Sequence, residues 1–497
     1  MTTYYPCDDS FMLHTDLYQI NMAMTYWAEG IQDKEAVFEG YFRSNPFESG
    51  YAIFVGLEKM IRYLSNLKFT ESDLDYLRST ELFPEEYIQY LGELEFKLSV
   101  RSFVEGELCF ANEPLIQVQG PLLQCQLVET ALLNIINYQT LIATKAARIR
   151  YVSGPKAGIA EFGSRRAHEF DAAIWGTRAA YIGGFNSTSN VRAGKLFGMP
   201  ISGTHAHSLV QAYRDEYEAF KAYAETHKNV VFLVDTYDTL RSGVPNAIRV
   251  ANEMGDRINF IGVRIDSGDI TYQSKHIREM LDEAGYPDAH IIASNDLDEL
   301  TILNLNMQGA RVDDWGIGTK LITAYDQPAL GAVYKLVSIE DETGQLVPTM
   351  KISSNAEKIT TPGVKQVWRI ISKETGKGEG DYITFEDADP NEQDSLFMFH
   401  PTYTYINKTV ENFEAKPMLH QVFDNGKLVY DQPDLDTIRS YAQANLEWLD
   451  DEHKRVLNPT PYPVDLSQEL YDEKMNSIRK IQAEVNQRVQ AMQQAKE

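Results

Sequence analysis

The stretch Pro200-Ile-Ser-Gly-Thr-His-Ala-His-Ser208 places two histidines where a strand is predicted to end and a helix to begin. The apolar run Met199–Ile201 is typical of a short strand, and the apolar residues after Ser208 recur at the spacing of one long amphipathic helix. A helix N-terminus offers unpaired N–H groups and a positive dipole end, which favour a phosphate group. From this stretch alone, a Ser/Thr helix cap beside two incidental histidines is equally consistent.

The region around this stretch, from about 156 to 338, alternates short apolar runs with helical patterns. Seven or eight such units in about 180 residues predict a parallel α/β barrel, and a doubly wound open sheet is the alternative. A dinucleotide-binding sheet is disfavoured because no G-x-G-x-x-G turn follows any of these runs. Besides the opening stretch, the runs are Ile159–Phe162, Gly184–Asn186, Val230–Asp235, Phe260–Arg264, His290–Ala293 and Val312–Trp315.

Before and after this region the chain mixes strand-like and helical segments without regular alternation, which is typical of separate α+β domains. We therefore predict three domains. The first is an N-terminal α+β domain with a linking helix over residues 1–140, and the second is the barrel catalytic domain over 141–340. The third, over 341–497, contains a β-rich part and terminal helices.

Composition limits the possible functions. The net charge of −26 disfavours a general binder of nucleic acid or anionic membranes. Cys7, Cys109 and Cys125 are odd in number and far apart, which suits a reducing compartment. The first residues resemble no signal peptide, and polar residues interrupt the most apolar stretch, 122–142. We predict a cytoplasmic protein with no membrane or nucleic-acid partner.

The run end Phe162-Gly-Ser-Arg-Arg166 combines an aromatic ring with two guanidinium groups. A ring beside an arginine can hold a flat anionic heterocycle by stacking and a charge-assisted hydrogen bond. Residues 145–195 carry nine basic side chains against three acidic ones, although the chain as a whole is acidic. This local excess favours a small anionic substrate. The alternative is that these arginines are simply solvated.

Two further run ends, and one aspartate, carry groups that suit phosphorylated sugars. In Arg264-Ile-Asp-Ser-Gly-Asp269, carboxylates flank a glycine and could bind ribose hydroxyls or a Mg²⁺ ion on a diphosphate, although such a string is often only a turn. Gly316-Ile-Gly-Thr-Lys320 resembles the phosphate loop that barrels form late in the chain. Asp235 could orient an imidazole of the opening stretch, whereas Asp238 is better explained as a helix cap.

His205-x-His207 at a strand end could also be the zinc pair of a metal-dependent barrel hydrolase. Such a site needs further histidine ligands at later strand ends. His227 and His276 fall in predicted helices, and His290 begins a strand at the opposite edge. This alternative therefore lacks a third nitrogen ligand.

Several motifs, taken together and in this order, resemble the nicotinate phosphoribosyltransferase family. They are Thr15–Tyr18, Phe42–Phe47, Glu129–Asn134, Leu141–Ala147, Phe162–Arg165, Gly203–His207 and Arg264–Asp269. The resemblance implies a type II phosphoribosyltransferase: an irregular parallel α/β barrel with an N-terminal α+β sandwich-like domain and a C-terminal α+β domain. It implies that nicotinate and phosphoribosyl pyrophosphate give nicotinate mononucleotide and pyrophosphate. It also implies a ligase-type enzyme, in which ATP hydrolysis is coupled through a phosphohistidine and Mg²⁺ is required.

The resemblance also assigns roles to residues. His207 rather than His205 would carry the phosphate, and Asp235 would orient it. Nicotinate would lie against Phe162, Arg165 and Ser189, and against Tyr18 of the neighbouring subunit in a homodimer with sites at its interface. Phosphoribosyl pyrophosphate would contact a larger set, in which Asp266 is the tentative contact for Mg²⁺ held by the diphosphate. That set is Arg43, Arg264, Asp266, Ser267, Gly268, Gly316, Gly318 and Thr319.

Nicotinamide phosphoribosyltransferase is the nearest alternative, because the two families share most of these motifs. An amide substrate needs an acceptor for its N–H₂ group, which an aspartate supplies in the nicotinamide family. This chain has Ser189 at the matching position. A hydroxyl together with Arg165 favours a carboxylate ligand, whereas an acidic side chain there would repel it.

Overall fold

The structure, a computed structural model, describes residues 11–354 and 358–494. Cys7 and the N-terminal residues used to judge a signal peptide lie outside these ranges. Cys109 and Cys125 are both buried and both free thiols.

Six parallel strands in the middle of the chain form one curled sheet. The last of them, Asp314–Ile317, pairs with the first, Gly158–Glu161, which is the connection that closes a barrel. The sheet is open on one side, between Ser187–Thr188 and Asn229–Leu233, and there Ile201 forms a single parallel bridge with Thr188. This order confirms the predicted irregular barrel. In spatial order the strands are Ser187–Thr188, Gly158–Glu161, Asp314–Ile317, His290–Asn295, Asn259–Ile265 and Asn229–Leu233.

Helices connect these strands, and two predictions near the opening stretch were wrong in detail. The strand expected at Met199–Ile201 is reduced to the one bridge at Ile201. The long helix expected after Ser208 is two helices, because Arg214 adopts a left-handed conformation and the Asp215 side chain caps the next helix. The barrel helices are Glu169–Ile182, Val191–Phe197, His207–Tyr213, Glu216–Thr226, Val244–Met254, Ile270–Glu283, Glu299–Met307 and Thr319–Ile322.

An antiparallel sheet of seven strands lies beside the barrel and draws its strands from distant parts of the chain. Strand Glu35–Tyr41 pairs with Ile116–Pro121 on one side and with Val333–Glu340 on the other. The predicted division at residues 140 and 340 stays a prediction, and this sheet joins strands from both sides of it. The other four strands are Leu346–Pro348, Ser99–Ser102, His420–Asp424 and Lys427–Leu428.

The first part of the chain also contains a two-stranded pair, Ala52–Ile53 with Leu108–Cys109. Of its helices, Leu122–Leu127 packs on strands Glu35–Tyr41 and Ile116–Pro121, and Leu17–Ala28 packs on Leu122–Leu127. The helices of this part are Leu17–Ala28, Leu57–Leu64, Glu71–Ser79, Glu85–Gly92, Leu122–Leu127 and Glu129–Ser153.

Helix Glu129–Ser153 attaches the barrel to the N-terminal strands. The Thr144 hydroxyl accepts a hydrogen bond from the backbone N–H of Ile53, and Lys145 forms a buried ion pair with Glu299 of a barrel helix. A buried charge needs such a partner, so this contact fixes the register of the helix against the barrel. Within the described ranges, no helix combines the length and the apolar character needed to cross a membrane.

The last part of the chain forms a four-stranded sheet, a two-stranded pair and three helices. Arg369 in this sheet forms buried ion pairs with Asp381 and with Glu107 of the N-terminal region. These contacts lock the two regions together. The sheet strands are Phe413–Pro417, Lys365–Ser372, Gly378–Phe385 and Val464–Leu466, the pair is Ser395–Phe399 with Asn407–Glu411, and the helices are Leu435–Trp448, Asp451–Lys454 and Gln468–Gln494.

Candidate active site

The carboxyl ends of the six parallel strands lie at one edge of the barrel, and most of the predicted site residues lie there. Phe162 and Ser189 follow the first two strands, and Asp235 follows the third. Arg264 lies within the fourth strand and Asp266 directly follows it. In a barrel, side chains at this edge come from several strands and converge on one site.

His207 and Asp235 form the centre of this edge. His207 is the first residue of its helix, and its Nε2 lies 3.9 Å from Oδ1 of Asp235. Its Nδ1 lies 3.1 Å from the Thr236 hydroxyl oxygen. A neutral imidazole with its proton on Nε2, facing the carboxylate, keeps the Nδ1 lone pair and accepts a hydrogen bond from Thr236. The imidazole is 38% exposed, so a substrate can reach it.

Asp235 is held rigidly, because its side chain is only 2% exposed and one oxygen has two donors. Oδ2 accepts hydrogen bonds from the backbone N–H of Asp266 at 3.0 Å and from the Ser267 hydroxyl at 2.6 Å. Oδ1, which faces His207, has no hydrogen-bond partner among the described residues. A small rotation of the imidazole would therefore let Oδ1 of Asp235 accept a hydrogen bond from a protonated Nε2 of His207.

The turn after strand Asn259–Ile265 lies directly beside this centre, because its first residues donate hydrogen bonds to Asp235. Gly268 has φ +81, a left-handed conformation that glycine adopts without strain. Asp266 accepts a hydrogen bond from the Ser294 hydroxyl and remains partly exposed. Arg264 donates to the backbone carbonyl of His205 at 3.1 Å. Burial lowers the pKa of Arg264. The negative charges of Asp266 and Asp235 oppose this shift, and the positive charge of Arg165 adds to it.

The ring of Phe162 packs directly on Gly316. A Cβ at position 316 would lie 2.5 Å from this ring, so only glycine fits beneath it. The backbone N–H of Phe162 also donates to the Ile317 carbonyl at 2.7 Å. Gly318 precedes the one-turn helix that begins at Thr319. The packing of Phe162 thus explains why position 316 is a glycine. The predicted role of Gly316 in a phosphate loop stays a prediction.

Glu161 connects the two loops that carry the predicted base-binding residues. Its buried carboxylate accepts hydrogen bonds from the hydroxyls of Thr177 at 2.9 Å and Thr188 at 2.7 Å, and its backbone carbonyl accepts from the N–H of Ser189. Burial raises the pKa of Glu161, which these hydrogen bonds oppose. Ser189 and Arg165 are both exposed and are therefore available to a ligand.

Tyr18 and Arg43 lie in the N-terminal region, outside the barrel. Tyr18 is on helix Leu17–Ala28 and is 49% exposed. Burial, followed by the charge of Glu129, raises the pKa of its hydroxyl. Arg43 follows strand Glu35–Tyr41 and is close enough to Lys335 to lower the pKa of that amine, although burial is the larger cause. The ring of Tyr18 is thus exposed to solvent, and the charged groups beside its hydroxyl, such as Glu129, belong to the N-terminal region itself.

The two histidines of the opening stretch have different surroundings. His205 is buried, and its Nε2 accepts a hydrogen bond from the backbone N–H of Leu233 at 3.1 Å. This bond spans the open side of the barrel, next to the Ile201 bridge. The lone pair that a metal would need is already used, which argues against a zinc pair formed with His207.

The residues at this edge fit magnesium that arrives with a phosphorylated substrate. Mg²⁺ takes oxygen ligands and is commonly held by one or two carboxylates together with substrate phosphates. Asp266 is partly exposed and offers such a carboxylate. Among residues 11–354 and 358–494, no group of three histidine, cysteine, aspartate or glutamate side chains could hold a metal ion. The predicted contact of Asp266 with Mg²⁺ remains a prediction.

Comparison with known proteins identifies the family. Residues 13–137 match the nicotinate phosphoribosyltransferase N-terminal domain, and residues 364–474 match the C-terminal domain. The nicotinate phosphoribosyltransferase of Bacillus subtilis is 61% identical over 97% of this chain and 98% of its own length. The chain belongs to the nicotinate phosphoribosyltransferase family.

More distant members of the family agree. The nicotinate phosphoribosyltransferase of Caenorhabditis elegans is 36% identical over 92% of both chains. The crystal structure of human nicotinic acid phosphoribosyltransferase has a TM-score of 0.82 and 31% identity, over 93% of this chain and 99% of that one. A nicotinate-nucleotide pyrophosphorylase from Pyrococcus furiosus, at 22% identity and a TM-score of 0.68, shares the fold. The predicted family and transferase class are confirmed.

Sequence reasoning missed three residues of this nicotinate phosphoribosyltransferase-family site. Thr236 contacts His207, Ser294 contacts both Asp266 and Arg264, and Glu161 holds the loops of Phe162 and Ser189. Each lies inside or directly beside an apolar run that the sequence analysis identified. Thr236 follows Asp235, Glu161 precedes Phe162, and Ser294 lies one residue beyond the run His290–Ala293. A polar residue at a parallel-strand end was the signal available in all three cases.

The position of His205 gives a pH-dependent prediction. Burial lowers the pKa of this imidazole from 6.5 to about 4. As the pH falls below about 6.5, the imidazole of His205 becomes protonated in the unfolded chain but stays neutral in the folded protein. The free energy of unfolding should therefore fall between pH 6.5 and 4, by up to about 3 kcal/mol from this group. In His205→Gln the amide oxygen can still accept from Leu233 but does not titrate.

Denaturant unfolding of both proteins at several pH values tests this prediction. As the pH decreases, the free energy of unfolding should fall more for the wild-type protein than for His205→Gln. A pH-independent difference would show that His205 is protonated, or exposed, in the folded protein.

Proposed function

We propose that this protein transfers the phosphoribosyl group of phosphoribosyl pyrophosphate to nicotinate. The products would be nicotinate mononucleotide and pyrophosphate, in the salvage route to NAD. The name shared by its relatives supports the substrate and the reaction. The single structural observation that supports the ATP-coupled form of this reaction is the exposed imidazole of His207 facing the buried carboxylate of Asp235.

Nicotinate would stack on Phe162 with its carboxylate near Arg165 and Ser189. The pyridine nitrogen carries its own lone pair and attacks C1 of the ribose as pyrophosphate leaves, so the site needs no strong base. Positive charge develops on the ribose ring in the transition state, and the carboxylate of Asp266 beside the ribose hydroxyls would stabilise it. The loop of Gly316, Gly318 and Thr319 would bind the 5′-phosphate, and Arg264 would hold the diphosphate side.

ATP would act through His207. With Asp235 facing Nε2, the Nδ1 lone pair would attack the γ-phosphorus, ADP would leave, and the phosphate would later be released to water. The phosphohistidine adds negative charge and acceptor oxygens beside the diphosphate site. When bound with the diphosphate near Asp266, Mg²⁺ would neutralise the charge that develops on the leaving group. Each 1.4 kcal/mol of differential binding produced in this way corresponds to about a tenfold change in affinity.

The base selectivity tests this proposal. We expect kcat/KM for nicotinate to exceed that for nicotinamide by about ten- to a hundredfold. The reason is that the charge-assisted hydrogen bond to Arg165 contributes about 1.5–3 kcal/mol and an amide cannot replace it. Steady-state assays with phosphoribosyl pyrophosphate, Mg²⁺ and either base, with and without ATP, measure this ratio by identifying the mononucleotide.

Arg165→Ala should lose most of this selectivity, and Ser189→Asp should narrow it by giving the amide an acceptor. Arg166→Ala is the matched control, because Arg166 is the next residue and is also exposed. Its selectivity should equal that of wild type. If the wild-type protein used both bases equally well, the nicotinamide phosphoribosyltransferase alternative would be favoured and the roles of Arg165 and Ser189 would be wrong.

A further inference from the structure

Glu161 is a buried carboxylate that has no cationic partner. Its side chain is 1% exposed. Burial raises its pKa, only hydrogen bonds oppose this rise, and no cation among the described residues contributes to the shift. The buried carboxylates of Glu105, Glu299 and Asp381 differ, because each forms an ion pair with a lysine or an arginine. A carboxylate without such a pair is costly to bury, so the reason for Glu161 must lie in what its oxygens bind.

The two side-chain oxygens of Glu161 accept hydrogen bonds from three segments of the chain. Oε1 accepts from the backbone N–H of Gly163, in the turn that follows the strand. Oε2 accepts from the hydroxyl of Thr177 on the next helix at 2.9 Å, and from the hydroxyl of Thr188 at 2.7 Å. An ionised carboxylate has acceptors and no donor, so it can satisfy three donors at once.

The loop of Ser189 is attached to Glu161 through three consecutive residues. The backbone N–H of Ser189 donates to the backbone carbonyl of Glu161 at 2.9 Å. The hydroxyl of Thr188, which donates to the Glu161 carboxylate, also accepts from the backbone N–H of Asn190 at 2.9 Å. The backbone on both sides of Ser189 is therefore fixed, while its own side chain stays exposed to a ligand.

The turn that carries Arg165 is fixed at Gly163. The N–H of Gly163 donates to Glu161, and its carbonyl accepts from the N–H of Arg166 at 2.7 Å. A Cβ on Gly163 would lie 2.8 Å from Oε1 of Glu161 and 2.6 Å from Cβ of Ile322, so the backbone is closely packed on both sides. Arg165 therefore extends from a turn whose position depends on the Glu161 carboxylate.

We propose that Glu161 is a positioning residue that sets the base selectivity of this site. One carboxylate holds both the turn of Arg165 and the loop of Ser189, and it thereby fixes the separation of the two side chains that would bind the carboxylate of nicotinate. A hydrogen bond weakens steeply when its donor moves out of the range of about 2.7–3.2 Å, so the contribution of Arg165 depends on this separation. The inference rests on the proposed function and adds the residue that holds its selective groups in place.

The ratio of kcat/KM for nicotinate to kcat/KM for nicotinamide tests this proposal. Both values come from one preparation, so the fraction of folded enzyme cancels, and a purely structural role of Glu161 would leave the ratio unchanged. In Glu161→Ala the ratio should fall by about three- to tenfold, mainly through a higher KM for nicotinate. The KM for phosphoribosyl pyrophosphate should stay within about twofold of the wild-type value, because the phosphate loop is not attached to the Glu161 side chain. Glu161→Gln keeps one acceptor oxygen, so its ratio should lie between those of the wild type and Glu161→Ala.

Thr188→Val and Thr177→Val form a matched pair of variants. Each removes one hydroxyl donor to the same oxygen of Glu161 at nearly constant side-chain volume. Thr188→Val releases the loop of Ser189 and should lower the ratio. Thr177→Val leaves both base-binding segments attached to Glu161 and should keep the wild-type ratio. This pair also keeps the proposal testable if Glu161→Ala does not fold.

A wild-type ratio in Glu161→Ala, or equal ratios in the two threonine variants, would overturn the role of Glu161. Wild-type protein that forms a mononucleotide from neither base, or uses both equally well, would instead overturn the proposed function. The two failures are distinguishable, because the first leaves the wild-type preference for nicotinate intact.

Discussion

His207→Ala should incorporate no acid-labile, base-stable phosphate from ATP, whereas the wild-type protein should incorporate it. The imidazole that would accept the phosphoryl group is removed, and no second imidazole replaces it, because the His205 ring is buried and bonded to the Leu233 N–H. We expect a low transferase activity to remain and to be independent of ATP, since stacking of the base and binding of the ribose do not involve His207. Incubation with γ-labelled ATP and separate rate assays measure both quantities.

Two variants separate the role of His207 from a general effect of histidine loss. His227→Ala removes an exposed imidazole at a helix end and should keep full incorporation. His205→Gln keeps the acceptor for Leu233 and should also be labelled. Asp235→Asn should be labelled much more slowly, since an amide neither orients the Nε2 proton nor stabilises the charged ring. If labelling were lost only with His205 replaced, the assignment of His207 would be wrong.

The barrel could be predicted from the sequence because its strands are buried on both faces. Such strands appear as continuous apolar runs, and each run ended at a small or polar residue. The runs Val230–Asp235 and Phe260–Arg264 correspond to strands Asn229–Leu233 and Asn259–Ile265. Strands near the open side of the barrel were harder to predict. Met199–Ile201 has the composition of a strand, but only Ile201 pairs, because its outer neighbour is missing there.

The helix break at Arg214 was missed although its signal was present. Apolar spacing continues across residues 209–220, but Asp215 followed by Glu218 three positions later is a helix N-cap signal inside this range. Periodicity therefore predicted helical structure in this segment correctly and its continuity wrongly.

The residues of the candidate site could be predicted because they lie at strand ends. The contacts between residues of different strands could not be predicted. The sequence placed His207 and Asp235 together, but it could not tell that Ser294 holds Asp266 and Arg264. Nor could it distinguish the two histidines by their surroundings. The buried position of His205 depends on the hydrogen bond of its ring to Leu233 across the open side of the barrel, a contact that the local sequence does not reveal.

Tyr18 should complete the nicotinate pocket of a neighbouring subunit. Phe162 provides one aromatic face at the barrel edge, and a flat anionic ring is bound best when both faces are covered. Tyr18 is exposed, and besides partial burial the charges that raise the pKa of its hydroxyl, those of Glu129 and Asp16, belong to its own chain. In a two-fold dimer, the exposed ring of one subunit can cover the site of the other, and two identical sites result. Loss of either wall should cost about 0.5–1.5 kcal/mol of stacking beyond the area buried.

Complementation tests this arrangement. Tyr18→Ala and Phe162→Ala proteins, each impaired alone, are mixed, dissociated and allowed to pair again. If Tyr18 acts in trans, each mixed dimer has one site with both walls and one site with neither, so kcat/KM for nicotinate should recover to about half of wild type among mixed dimers. Phe162→Ala with Arg165→Ala is the matched control, because both residues belong to the same subunit's half of the pocket and no site becomes complete. Mixed dimers that form but show no recovery in the Tyr18 pairing would mean that Tyr18 serves its own chain.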